Sequence, residues 1–523
     1  MLLKQPLCWL LALALGLRLL VLAGPMSADI SIDGAEYCRI AEELVAHGEI
    51  AGMLPGPATM MPPLQPILVA GLMVLTGWNS VDSARTLALL ASLASIVLAF
   101  RLARRFGGEL AGFAAAALLA TAPLFVLLGT AEFAEPVQGA LLLGALVILF
   151  RRIEGPTVAD ASFSGVLFGL AALARIESFA LGLLVTLFIA VRGEARAPVR
   201  ILRAALFLTM LGLQLLPWAA HLHDATGIWR LEVKSGRVAA TVERLADGLD
   251  YATANYGLGP VGEVEGPWLR PDLVNTEPQH GLLGAWCARP YALASHSGRN
   301  LARYLWWLTS GVALGSVLLL AAMLPALWPL RDARLLLVFA LASAMLLLAS
   351  LYKPVPRYAA PAVLLFEIIA AIGLARWAGR LRHPRVLLFA AALLLALTSL
   401  RDAPDAFHGL VEGRDATCRR AAEALSARQT QPENASLLPA PDRIWLTDDA
   451  RLPFHMGVRW LPLPAAPSAD ALARHAANTN ASVMAWRTDD GNALRPGAAV
   501  DPAAVPGWRV LSDPPAGWCV LVR

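Results

Sequence analysis

The sequence predicts an all-α polytopic membrane protein of about eleven transmembrane helices, with a small extracytoplasmic α/β domain at its C-terminal end. Three observations predict it. First, 57% of the 523 residues are hydrophobic and only 16% charged, with a mean hydropathy of +0.58; a soluble domain has about 45–50% apolar and about 25% charged residues. Second, the apolar residues gather in repeated runs near membrane-spanning length. Third, residues 401–523 are polar and rich in Pro, Ala and Asp, broken by short strand-like segments. The net charge of +4 is spread over loops rather than gathered in one patch, which argues against a nucleic-acid partner.

Spans are expected near 7–23, 83–100, 109–128, 136–150, 161–174, 178–191, 204–221, 303–328, 334–351, 358–375 and 386–400. The first follows a short basic start at Lys4 and resembles a signal peptide, but its length and the spans after it favour an uncleaved helix. The apolar segment 62–77 is short and opens on Pro62-Pro63, so it either crosses or lies at the membrane surface. Loop charge decides between these. If it does not cross, Lys4, Arg101, Arg104, Arg105, Arg151, Arg152, Arg192, Arg196, Arg200, Arg203, Arg331, Arg334, Arg376, Arg380, Arg382 and Arg385 share one side. That side is cytoplasmic by the positive-inside rule. A crossing at 62–77 would invert every later loop and destroy the bias.

The chain then divides into a membrane domain, 1–400, with a first outer loop at 24–82 and a long outer loop at 222–302, and a soluble domain at 401–523. In the soluble domain, Arg443-Ile444-Trp445-Leu446, Val458-Arg459-Trp460-Leu461, Ser482-Val483-Met484-Ala485-Trp486 and Cys519-Val520-Leu521-Val522 read as strands, and 468–477 as a helix. Five cysteines show no metal-ligand spacing, although Cys418 and Cys519 share this domain and could pair in an oxidising compartment.

The first outer loop carries Asp33 and Glu36, one helical turn apart on one face. Two such carboxylates can raise each other's pKa, hold a divalent ion or supply a general base; the bland alternative is a solvated helix with Asp33 as its N-cap. Glu132 and Glu135 stand just outside a span, where Glu135-Pro136 also suits an ordinary helix start. Arg175 and Glu177 share a very short outer turn and either pair with each other or leave Arg175 to meet an anion. Tyr352-Lys353-Pro354-Val355-Pro356-Arg357-Tyr358 places two cations at the outer surface, where they either snorkel or grip a lipid phosphate. His221, His223 and Asp224 look like a metal cluster but are better read as a polar span end, so no metal site is assigned.

Taken in order, these pieces resemble the bacterial GT-C glycosyltransferases related to protein O-mannosyltransferases and lipid A aminoarabinose transferases. The resemblance rests on Asp33-Gly34-Ala35-Glu36-Tyr37 with Ile40-Ala41 and Leu44, then Pro62-Pro63-Leu64-Gln65-Pro66, Ala134-Glu135-Pro136, Leu173-Ala174-Arg175-Ile176-Glu177 and Arg357-Tyr358. It implies transfer of a hexosyl or pentosyl group from a polyprenyl-phosphate donor to a lipid, glycan or protein acceptor on the outer face of the bacterial inner membrane. By the same resemblance Asp33 is the general base of an inverting attack, with Glu36 as its companion. Glu132, Glu135 and Glu177 support them. Many relatives place a second acid directly after the Asp, where this chain has Gly34, and some carry a cation where it has Met60-Met61. Phosphate binding therefore falls to Arg357, Lys353 or Arg175. No cofactor is required by this reading, and a divalent metal remains compatible with it. The main rival is a transporter or flippase of lipid-linked or envelope precursors, which predicts mid-span charges and internal repeats. A polysaccharide polymerase or ligase would draw on the same donors.

Overall fold

The computed structural model describes residues 6–24, 30–152, 155–192, 195–258, 282–310, 323–327, 332–351, 354–379, 415–428, 444–466, 468–488, 501–512, 514–515 and 518–523. The expected span at 386–400, the middle of the expected span 303–328, and Lys353 lie outside these residues. The chain forms two compact units. The first joins Met1–Ser27, Pro62–His221 and Ser297–Glu412; the second joins Ala28–Met61, Leu222–His296 and Gly413–Arg523.

In chain order the helices are α1 Pro6–Ala23, α2 Ile32–His47, α3 Leu64–Thr76, α4 Ser80–Thr121, α5 Pro123–Leu128, α6 Glu135–Leu149, α7 Val158–Ala174, α8 Glu177–Val191 and α9 Ala197–Thr226. They continue as α10 Lys234–Ala246, α11 Tyr251–Tyr256, α12 Leu282–Ala288, α13 Pro290–Ser310, α14 Ala333–Ser350, α15 Ala360–Ala378, α16 Asp415–Arg428, α17 Arg451–Met456 and α18 Ala469–Asn478. Among the described residues, Ser80–Thr121, Ala197–Thr226, Ala333–Ser350 and Pro356–Ala378 are long and apolar enough to cross a membrane; the apolar stretch Leu7–Ala23 of α1 and helices α3, α6, α7 and α8 are shorter. Helix α3 has 13 residues, about 20 Å of rise against a hydrocarbon core of about 30 Å.

The expected spans 83–100 and 109–128 are the two arms of α4, separated by Gly108 at φ 76° and ψ −174°, where only glycine is comfortable. The arms fold back on each other, since Phe100 and Phe113 meet edge-to-face at 5.3 Å; thirteen residues of straight helix would hold them about 20 Å apart. The second arm stops at Thr121 rather than 128, because Pro123 pushes Ala122 into an extended conformation and starts the separate turn α5. That break leaves carbonyls without helical partners, and Arg18 of α1 serves them. Fully buried, it donates to the carbonyl oxygens of Ala14, Leu119, Ala120 and Phe125 and to the Ser92 hydroxyl, using all five of its N–H groups. Helix α9 begins at 197 and ends at 226, longer at both ends than the expected 204–221.

In the second unit a five-stranded sheet runs in the order β2-β1-β3-β5-β4. Its strands are β1 Ile444–Thr447, β2 Arg459–Pro462, β3 Ala481–Arg487, β4 Arg509–Val510 and β5 Trp518–Val522. β1 pairs in parallel with β2 and β3, and β5 runs antiparallel to β3 and β4. Alternation along the strands makes two cores. Trp445, Val483, Val520 and Val522 pack with Leu425 of α16 and Leu452 of α17, while Leu446, Met484 and Leu521 pack with Leu472 and Ala476 of α18. Cys418 belongs to the first core and Cys519 to the second. Both are free thiols, and the sheet lies between them, so the pairing considered from sequence is not formed.

The loops join this sheet. Leu258 N–H donates to the Ala465 carbonyl oxygen (3.2 Å), and Trp460 N–H on the outer edge of β2 donates to the Met53 carbonyl oxygen (3.0 Å). A sheet edge otherwise presents unpaired backbone groups, so the first loop caps it.

Candidate functional site

In the second unit Asp33 and Glu36 lie on α2, one turn apart. The helix is capped by Ser31, whose hydroxyl accepts from Gly34 N–H (2.8 Å), and not by Asp33. Asp33 instead sits half-buried in the first turn, where a carboxylate faces the positive end of the helix. The bland reading of Asp33 as the cap therefore fails.

Glu36 is 8% exposed, and its Oε2 accepts from Met53 N–H at 3.1 Å. Gly52 permits the contact, since a Cβ at that position would overlap the Glu36 carboxylate. Burial pushes the Glu36 carboxyl up to about 7, with the Asp33 charge adding to it and the Met53 N–H and Arg39 opposing it. The sign of the consequence follows. Between pH 4.5 and about 7 the folded chain keeps a proton that the unfolded chain has lost, so stability falls as pH rises through that window. A rise of this size is worth on the order of 3 kcal/mol. Glu36→Gln is expected to flatten the pH dependence of the unfolding midpoint between pH 4.5 and about 7, read by thermal melts in detergent; an unchanged slope would refute the assignment.

The first unit assembles a second group of predicted residues. Arg175, held extended between α7 and α8, donates through Nη1 to Glu135 Oε1 (2.6 Å) and through Nη2 to Glu177 Oε1 (3.1 Å). Its charge thus faces two carboxylates, one of them Glu135, which from sequence was open between a helix start and a supporting acid. Glu132 is paired elsewhere, with Arg85 Nε at 2.6 Å. The Tyr358 ring lies 5.0 Å from both the Arg175 and the Arg357 guanidinium, and Arg357 also stacks over Phe133 at 4.5 Å. The approach to Arg357 is fixed by Tyr304 of α13, whose hydroxyl donates to the Val355 carbonyl (3.2 Å) and accepts from Val355 N–H (3.1 Å).

Arg85, Phe133 and Tyr304 escaped sequence reasoning as site residues. Their partners lie 47, 51 or more than two hundred residues away, and no local pattern marks them. His221 stacks on Trp218 and His223 on Trp229, and among the described residues no three His, Cys, Asp or Glu side chains gather as a metal site.

Residues 60–221 match the family model described as dolichyl-phosphate-mannose-protein mannosyltransferase. The structure is similar to that of ArnT from Cupriavidus metallidurans bound to undecaprenyl phosphate, with a TM-score of 0.57 and 16% identity, covering 98% of this chain and 97% of that one. It is also similar to the oligosaccharyltransferase of Archaeoglobus fulgidus in complex with Zn and sulfate (TM-score 0.60, 13% identity, 92% of this chain and 67% of that one). A further match is AglB from the same organism, in complex with an inhibitory peptide and a dolichol-phosphate (TM-score 0.56, 15% identity, 92% and 69%). Identities this low establish the fold. A search of curated protein sequences gives no significant match.

Proposed function

We propose that the protein is an inverting glycosyltransferase that moves a sugar from a polyprenyl-phosphate donor to an acceptor at the outer face of a bacterial inner membrane. One coincidence carries the reading: a GT-C fold over nearly the whole chain, and within it a carboxylate, Asp33, half-exposed in the first turn of a loop helix that another residue caps. The lipid phosphates bound in similar structures support the choice of a polyprenyl-phosphate donor, since the structure of ArnT holds undecaprenyl phosphate and that of AglB a dolichol-phosphate. The arginine bias of alternate loops supports the orientation, with the N-terminus cytoplasmic and the sheet domain outside.

In this mechanism an acceptor hydroxyl attacks the anomeric carbon while its proton passes to Asp33. The bond from that carbon to the phosphate oxygen breaks, and polyprenyl phosphate leaves with the electron pair. A carboxylate in its ionised form can accept that proton as a general base. Arg357, and Lys353 beside it in sequence, offset the charge of the leaving phosphate. Arg175, already facing Glu135 and Glu177, orients Tyr358 and through it Arg357.

The test supplies membranes containing the protein with a radiolabelled pool of polyprenyl-phosphate sugars. Label is expected to leave the donor for an acceptor fraction. Membranes that move the labelled lipid between leaflets, with no sugar leaving it, would show a flippase instead.

A further inference from the structure

Helix α2 has two attachments to the C-terminal α/β segment within the second unit. The first runs through one residue. Glu36 Oε2 accepts from Met53 N–H, and the carbonyl oxygen of the same Met53 accepts from Trp460 N–H on the free edge of β2. Met53 is 1% exposed, and its turn is closed by the hydrogen bond from Ala58 N–H to the Ile50 carbonyl oxygen (2.8 Å). Leu54, next along, packs against the core beneath the sheet. The second attachment is one turn further down α2, where Arg39 lies 5.9 Å from the Phe454 ring of α17. Glu36 thus stands at one end of a short hydrogen-bonded relay whose other end is a strand some four hundred residues later.

A carboxylate buried in this way is poorly placed to meet substrate and well placed to hold backbone. We propose that Glu36 is a positioning residue: through Met53 it locks the helix bearing Asp33 to edge strand β2, so that the C-terminal domain sets the seating of the proposed base. The inference rests on the Asp33 reading. It gives the domain a defined mechanical part in transfer and removes Glu36 from the reacting groups.

Three pairs of measurements test it on the full-length protein. Glu36→Gln keeps an acceptor oxygen for Met53 N–H, whereas Glu36→Ala leaves that buried donor without a partner. The alanine variant is expected to lower kcat by about 10- to 100-fold, the scale of a misplacement near 1 Å, with the donor KM within about twofold. The glutamine variant is expected to retain at least about a third of the wild-type kcat, because a positioning hydrogen bond needs the oxygen and not the charge. Hydrogen exchange at the Met53 amide is expected to accelerate in Glu36→Ala and to stay slow in Glu36→Gln.

From the other end of the relay, Trp460→Pro removes the edge N–H at a position where a sheet tolerates proline, and Trp460→Ala removes only the side chain. Faster exchange along α2 is expected in the proline variant relative to the alanine one. Three results overturn the proposal: a Glu36→Gln variant as inactive as Asp33→Asn with Met53 still protected, a fully active Glu36→Ala, or identical α2 exchange in the two Trp460 variants. Full activity of Asp33→Asn is a separate failure, that of the base assignment, and leaves the exchange results to report on the relay alone.

Discussion

Asp33→Asn is expected to lower the rate of sugar transfer by about 10²- to 10⁴-fold, the usual contribution of a positioned general base, while leaving the folded helix in place. The substitution is nearly isosteric and removes only the charge. Because Ser31 caps α2, no cap is lost with Asp33. Among what is lost is the favourable interaction with the positive end of the helix, about 0.3–1 kcal/mol. Glu36 moves the other way: the Asp33 charge is among the causes that raise its pKa, so the Asn variant should ease ionisation at Glu36. A large fall in single-turnover transfer, with a melting midpoint within a few degrees of wild type and unchanged donor binding, is therefore the signature of a base. A variant that melts early would instead make Asp33 part of the scaffold. Equal transfer by the two proteins would leave α2 without a catalytic residue.

The broad architecture was legible because a membrane enforces it. Long apolar runs have few uses other than crossing lipid, and the alternating strand segments of the tail appear at Ile444–Thr447, Arg459–Pro462, Ala481–Arg487 and Trp518–Val522 close to where the sequence placed them. Boundaries failed where one residue decides a backbone. Pro123 ended the second arm of α4 early, at Thr121, while the two spans read at 83–100 and 109–128 stand as separate arms on either side of Gly108. The two-residue strand β4 has too little pattern to be read at all.

In the site the types of residue were legible and their partners were not. Ser31 and Asp33 are both good cap residues two positions apart, and only the geometry chose between them. Arg175 and Glu177 looked like a local pair. The stronger claim on Arg175 is Glu135, forty residues earlier on another helix. Likewise the partner of Glu36 is a backbone N–H, a donor every non-proline residue carries and no sequence pattern can single out.

Arg175→Met is expected to destabilise the first unit by about 3–5 kcal/mol, the cost of leaving one member of a buried ion pair alone. The stranded group is Glu135, whose side chain is 2% exposed, rather than Glu177 at 35%, whose exposed contact adds about 0–1 kcal/mol. The double variant Arg175→Met/Glu135→Gln removes both charges together and should recover most of the loss, since a neutral pair of similar volume is often no worse than a buried salt bridge. Detergent-denaturant titrations of the wild type, the two single variants and the double variant give the coupling directly.

The double variant also separates the two roles open to Arg175. If its guanidinium bound the donor phosphate, a stable protein without it would bind donor at least about tenfold more weakly, as for other lost charge-assisted contacts. Two carboxylates already hold that guanidinium, and the Tyr358 ring lies 5.0 Å from it. The expected result is therefore a restored fold with a donor KM within about threefold of wild type, since an Arg held by two acids has little positive field left for a third. Arg357→Met, by contrast, is expected to weaken donor binding at a smaller cost in stability, because the faces of Phe133 and Tyr358 flank its guanidinium. Weak donor binding in a stable double variant would return Arg175 to the phosphate and make Glu135 its tether.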